Sequence, residues 1–116
     1  MNDYTEDQLR LFHPSIREKA IRFITALRLA GIPAYIGNAG GIRTHEEQAR
    51  LVSAGRSETL RSKHIEGKAF DIDILGFGRD QLPKSFWNDV GRFGEKLGLR
   101  WGGRFKGFYD AGHFEV

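Results

Sequence analysis

The run AFDIDIL, residues 69–75, alternates strictly: Phe70, Ile72 and Ile74 fall on one face of an extended chain, Ala69, Asp71 and Asp73 on the other. Such a strand packs one face on a core and offers two carboxylates on its opposite face. Just upstream, SKHIEGKAFD (62–71) sets His64 seven positions before Asp71, across Gly67. The C-terminal YDAGHFEV repeats the ingredients, with Asp110 three positions before His113. An imidazole and a carboxylate therefore occur twice, once beside a strand and once at the chain's end.

Outward from this run the chain reads as helices in front and short strands behind. PSIREKAIRFITALRLA (14–30) carries Ile16, Ala20, Phe23, Ile24 and Leu27 at three-and-four spacing, with Pro14 suited to a first helical turn and Gly31 to a helix end. PAYIG (33–37) is a strand and NAGGIR (38–43) a glycine-punctuated loop. THEEQARLVSAG (44–55) opens with Thr44 and Glu47 in the capping-box relation and predicts a helix of about three turns. GRSETLRSK (55–63) is a polar loop and GFGRDQLP (76–83) a turn-rich connection. KSFWNDVGRFGEKLGL (84–99) brings Phe86, Val90, Phe93 and Leu97 to one side of a helix despite its interior glycines. LRWGGRFKGFYDAGHFEV (99–116) closes in short strands and turns. The order implies an α+β fold with a small antiparallel sheet and flanking helices.

Composition bounds the chemistry. A chain of 116 residues, 40% apolar and 28% charged, suits one folded domain spanning 1–116. It contains no cysteine, so thiolate metal sites, disulfides and thiol nucleophiles are excluded and any metal must use His and carboxylate. The first residues, MNDYTEDQLRLFHPS, are acidic where a signal peptide is basic, and no apolar stretch reaches membrane-spanning length. The expectation is a soluble protein made in the cytoplasm without membrane insertion. The net charge of +3 and pI near 9.4 leave nucleic acid, an anionic wall polymer and plain solubility open.

Catalytic zinc takes three protein ligands and keeps a fourth position for water, whose pKa falls to about 7. His64, Asp71 and His113 would supply two imidazoles and a carboxylate, and Asp110 is the candidate base that carries a proton to a leaving amine. Each residue alone also reads as an ordinary hydrogen-bonding or surface group. The spacing makes convergence possible without proving it.

The motifs resemble a known family. SKHIEGKAFD is similar to S-x-H-x-x-G-x-A-x-D, the signature of zinc D-Ala-D-Ala-type peptidoglycan peptidases, with Ser62, His64, Gly67, Ala69 and Asp71 in register. Asp110 and His113 resemble its second motif, and Trp101 to Gly103 and His113 to Glu115 its WGG and HFE elements. Gly41, Arg43, Thr44, Glu47 and Gln48 match an upstream G-x-R-[ST]-x-x-E-Q element.

The resemblance implies a Hedgehog/D-Ala-D-Ala-peptidase-like fold, Zn2+ on His64, Asp71 and His113, Asp110 as general base and Arg43 steadying the scissile carbonyl. Beside these, Ser62 and Glu115 read as substrate-binding or ligand-supporting residues, Glu115 because a terminal strand puts it on the His113 face, and Trp101 as pocket wall or, by the safer reading, core. Asp73 is left beside a ligand or facing solvent, and His13 and His45 as surface residues. Many relatives carry an aromatic residue where this chain has Ile42. An aspartate at the base position resembles the L-alanyl-D-glutamate endopeptidase branch found in phage endolysins; the dipeptidase branch tends to glutamate. The implied partner is bacterial peptidoglycan and not nucleic acid, met by a monomer released from a host cytoplasm. D-alanyl-D-alanine hydrolysis and a non-catalytic, metal-stabilised wall-binding module are the competing readings.

Overall fold

A computed structural model describes residues 3–37, 41, 49, 50, 52–54 and 63–116. Helix α1, Thr5–Leu11, was not legible as a helix in the sequence. It is short, and what holds it is tertiary: buried Thr5 donates its hydroxyl to Asp3 Oδ1 at 2.6 Å and accepts the Ile36 N–H at 2.8 Å. At its far end Arg17 reaches back to the carbonyls of Leu9, Arg10 and Phe12, groups a helix terminus leaves without partners. Helix α2, Pro14–Leu29, matches its expected span and buries the expected stripe of Ile16, Ala20, Phe23, Ile24 and Leu27. Its start is capped by His13, whose Nδ1 accepts the Ser15 N–H at 3.1 Å. Gly31 follows with φ +85°, a left-handed conformation that suits glycine.

The alternating run is divided between two sheets. β1 is Ala34–Tyr35, β2 is Ala69–Asp71 and β3 is Asp73–Ile74. β3 pairs antiparallel with β1, whereas β2 pairs with the C-terminal strand β5, His113–Glu115, which also pairs with β4, Arg100–Trp101. The change of partner falls at Ile72, whose N–H is taken by Gly112 O at 2.8 Å, in the turn just before β5. The inward alternation survives the break: Phe70, Ile72 and Ile74 are all buried. Behind the three-stranded sheet the rings of Phe12, Phe23, Phe70 and Phe114 form one aromatic core, with Phe23 and Phe114 centroids 4.5 Å apart.

Helix α3, Lys84–Lys96, corrects one expectation. Its fully buried residues are Trp87, Val90, Gly91 and Gly94, while Phe86, Phe93 and Leu97 are only partly buried. The glycines are the contact surface itself. A Cβ at Gly91 would lie 2.2 Å from the Trp101 indole, and one at Gly94 would lie 2.6 Å from the Phe114 ring. Aromatic side chains from β4 and β5 pack against bare helix backbone, which draws the helix onto the sheet that carries the Asp and His pairs. Of the helix expected at 44–55, most residues lie outside those described. Among the described residues no helix is long and apolar enough to cross a membrane.

Candidate metal and catalytic site

The register of β2 and β5 sets Asp71 directly opposite His113, Phe70 opposite Phe114 and Ala69 opposite Glu115. Because side chains alternate, Phe70 and Phe114 enter the core while Asp71, His113 and Glu115 share the other face. His64 arrives from the turn at 63–67, which Gly67 closes with φ +70°. One ligand atom from each of His64, Asp71 and His113 lies within 4.8 Å of the others, and all three residues are buried. His113 Nδ1 is 3.0 Å from Asp71 Oδ1 and 3.2 Å from His64 Nε2.

The outer nitrogens of both rings define what the inner ones can do. His64 Nδ1 lies 2.9 Å from Gly41 O, and a carbonyl can only accept, so this nitrogen carries the proton and Nε2 turns a lone pair inward. His113 Nε2 donates to Glu115 Oε1 at 2.8 Å, which leaves Nδ1 as its inward atom. Two lone pairs and a carboxylate aimed at one buried point repel one another unless a cation lies between them. The donor set of two imidazoles and one carboxylate fits a divalent metal of borderline softness, and the hydrogen bonds behind the two rings are those that fix metal-binding histidines.

A proton can also take the place of that cation, and the pKa directions describe that alternative, not the one with two inward lone pairs. Burial pushes the Asp71 carboxyl up, but the charge of His64 and hydrogen bonds from His113 and His64 overcome this and hold it well below the ordinary carboxylate range. Burial likewise lowers His113, while its hydrogen bonds to Asp71 and Glu115 raise it to about 9. Glu115, raised by burial, is brought down to about 2 by hydrogen bonds from His113 and Lys63. Lys63 Nζ is 3.1 Å and Arg100 Nη1 3.5 Å from Glu115 Oε2, so the carboxylate behind His113 is itself held by cations.

Asp110 lies beside the cluster, its Oδ2 4.0 Å from His113 Nδ1. Burial and the negative charge of Asp71 raise its pKa, against the lowering influence of His113, Arg79 and His64. Trp101 is 2% exposed, and its indole donates to Ala111 O at 2.8 Å, holding the turn between Asp110 and His113. Gly102 fits beneath that turn, where a Cβ would come within 2.3 Å of Asp110 O and 2.8 Å of His113 Cβ. The WGG element is thus a support for the turn. A groove of about 400 Å³ opens at Asp110, lined among others by Arg79, Lys84, Trp87, Tyr109 and Ala111.

Arg43, Ser62 and His45 lie outside the described residues, as do Thr44, Glu47 and Gln48. Gly41 of the same upstream element is described, and its carbonyl is the partner of His64. Sequence reasoning missed Arg79, whose Nη1 is 3.3 Å from Asp110 Oδ1 and whose Nε is 3.4 Å from Asp73 Oδ1. Nothing around GFGRDQLP distinguished this arginine from an ordinary turn residue.

A family model described as D-alanyl-D-alanine carboxypeptidase matches residues 55–116, the segment that contains the entire His64, Asp71, Asp110 and His113 constellation. The chain belongs to that family. It is 36% identical over 78 residues to an L-alanyl-D-glutamate peptidase of Listeria phage A118, of whose length the match covers 27% and of this chain 64%. It is 28% identical to the peptidoglycan L-alanyl-D-glutamate endopeptidase CwlK of Bacillus subtilis, over 90% of this chain and 72% of that protein. Among solved structures, the Serratia marcescens L-Ala D-Glu endopeptidase ChiX matches with a TM-score of 0.70 and 29% identity, covering 100% of this chain and 88% of that one. The LD-carboxypeptidase LdcB, at 19% identity and a TM-score of 0.64, shares the fold. The expected α+β fold and its Hedgehog/D-Ala-D-Ala-peptidase-like class are therefore those of this family.

Proposed function

We propose that this chain is a zinc endopeptidase that hydrolyses the L-alanyl-D-glutamate bond of peptidoglycan stem peptides. The observation that carries the reading is the convergence of His64 Nε2, Asp71 and His113 Nδ1 on one buried point with Asp110 beside it. His64, Asp71 and His113 would hold the metal, with Glu115 and Gly41 O fixing the two rings from behind. Zinc supplies there the Lewis acidity that lowers the pKa of water to about 7 and polarises a carbonyl. Asp110 accepts the proton of the attacking water and passes it to the leaving amine, a transfer between two atoms within reach of one carboxylate. Arg43 would steady the carbonyl oxygen as negative charge develops on it, a role that rests on the family resemblance alone. The groove opening at Asp110 gives the peptide room on the amine side of the bond, since the group that protonates the amine must sit next to it.

The choice of bond is supported by the names of two curated relatives and one solved structure, all L-alanyl-D-glutamate peptidases. An origin as a phage endolysin, acting on the wall after release from host cytoplasm, is part of the proposal, and the phage relative supports the endolysin reading. D-alanyl-D-alanine carboxypeptidase activity is favoured by the family description itself. Digestion of purified wall followed by N-terminal labelling and mass spectrometry separates the two. The proposal expects newly exposed D-glutamate amino groups with L-alanine left on muramic acid; free D-alanine with that linkage intact would assign the carboxypeptidase reading instead. Asp110→Asn should keep one zinc per chain and lose about 10²-fold in kcat. Loss of the metal in that variant would make Asp110 a ligand and remove it as the base.

A further inference from the structure

Asp110 sits on a turn, and a carboxylate that must face both a water and a departing amine needs its orientation fixed from outside. Its Oδ1 lies 3.3 Å from Arg79 Nη1. The same guanidinium sets its Nε 3.4 Å from Oδ1 of Asp73, a carboxylate on the β3 strand. Arg79 is anchored at its other end as well, since Trp87 Nε1 donates to its main-chain carbonyl at 3.2 Å. Its guanidinium lies over Gly112, where a Cβ would come within 2.8 Å of Cζ and 2.9 Å of Nε. Sheet, helix and turn therefore hold one partly exposed cation between two carboxylates.

We propose that Arg79 is a positioning residue for Asp110, joining it to Asp73 in a carboxylate–guanidinium–carboxylate bridge that fixes the direction in which the Asp110 carboxylate faces the reaction. Asp73, which the sequence left beside a ligand or facing solvent, becomes the far anchor of that bridge. Nη1 donates to Asp110, whereas Nε makes no hydrogen bond among the described residues and acts on Asp73 by charge at 3.4 Å; a lysine, a single point charge on a flexible stem, cannot serve both positions at once. Gly112 leaves room both for the guanidinium and for Ile72 O, which would lie 2.7 Å from a Cβ there. The alternative role, a clamp for an acidic group of the substrate in the groove, is disfavoured because Nη1 and Nε already face Asp110 and Asp73.

The inference rests on the reading of Asp110 as the base, and steady-state kinetics on a defined stem peptide with zinc-loaded protein test it. Arg79→Gln is expected to lower kcat about tenfold or more while KM and zinc stoichiometry stay within about twofold of wild type. Arg79→Lys, which keeps a cation between the carboxylates and so preserves the fold if Arg79→Gln does not, is expected to fall between the two. In an Asp110→Asn background, Arg79→Gln should cost nothing further, because it acts through the group already removed. A raised KM with unchanged kcat, additive losses in the double variant, or Arg79→Lys as fast as wild type would overturn the assignment. A wild-type protein that releases nothing from wall sinks the base reading and this inference together. Wild-type turnover with an undiminished Arg79→Gln kcat sinks the inference alone.

Discussion

The two halves of AFDIDIL have the same pattern and different fates. Asp71, on β2, faces His113 across the pair with β5; Asp73, on β3, faces Tyr35 across the pair with β1. Both carboxylates project from the side of the run opposite its apolar residues, yet Asp71 is buried with two imidazoles and Asp73 is half-exposed beside Arg79. What separates them is the partner strand, chosen at Ile72 where the Gly112 carbonyl replaces the β-ladder. A carboxylate on a strand acquires its chemistry from whatever the neighbouring strand places opposite it.

The largest effects should come from the β5 side. His113→Ala removes the residue opposite Asp71 and is expected to abolish both bound metal and measurable wall lysis, read by metal analysis and turbidity loss. Lysis at the wild-type rate by metal-stripped protein, with no response to added zinc, would break the comparison at its root. A smaller loss is expected one residue pair further along. Glu115→Gln leaves all three inward atoms in place but weakens the partner of His113 Nε2, and should reduce zinc affinity by about 10-fold, with activity restored by excess metal. Competition against a chelator measures it, and an unchanged affinity would mean that Lys63 and Arg100 hold Glu115 for packing only.

The smallest effect belongs to the β1 side, where the interactions are structural. Asp3 takes the Thr5 N–H and hydroxyl at the start of α1, and Thr5 in turn holds the Ile36 N–H just beyond β1. Burial raises the Asp3 pKa, but the hydrogen bonds from Thr5 and the charge of Arg28 leave it below the ordinary 3.8. A carboxyl whose folded pKa is depressed contributes stability above its unfolded value and loses it as pH falls through the folded one. Asp3→Asn should therefore lower the melting temperature slightly near neutral pH, and the difference should close as the pH falls below the ordinary value of 3.8, with zinc content unchanged throughout. A gap that persists in acid would mean that shape and not charge matters at this position.

Local signals made much of this legible. The alternation of residues 69–75, the spacing in 14–30 and the paired Asp and His residues located the core faces and the candidate ligands, because each depends on a period or a short offset in sequence. Whatever depended on distant packing stayed hidden. Helix α1 is secured by Asp3, Ile36 and Arg17, none of which marks a helix by itself. The buried side of α3 was displaced because Gly91 and Gly94, weak helix formers by propensity, are where Trp101 and Phe114 land. Arg79 was missed for the same reason: its carboxylate partners lie 6 and 31 positions away, joined only by the fold. The HFE element was read in advance as placing Glu115 on the His113 face, an inference that strand alternation alone could carry.

Calorimetric titration of zinc into metal-stripped wild type, Asp71→Asn and Asp73→Asn tests the central claim most directly. Wild type and Asp73→Asn are expected to bind one zinc with similar affinity, whereas Asp71→Asn binds none at concentrations that saturate the other two. Undiminished binding by Asp71→Asn, or its loss in Asp73→Asn, would contradict the account of which half of the alternating run makes the site.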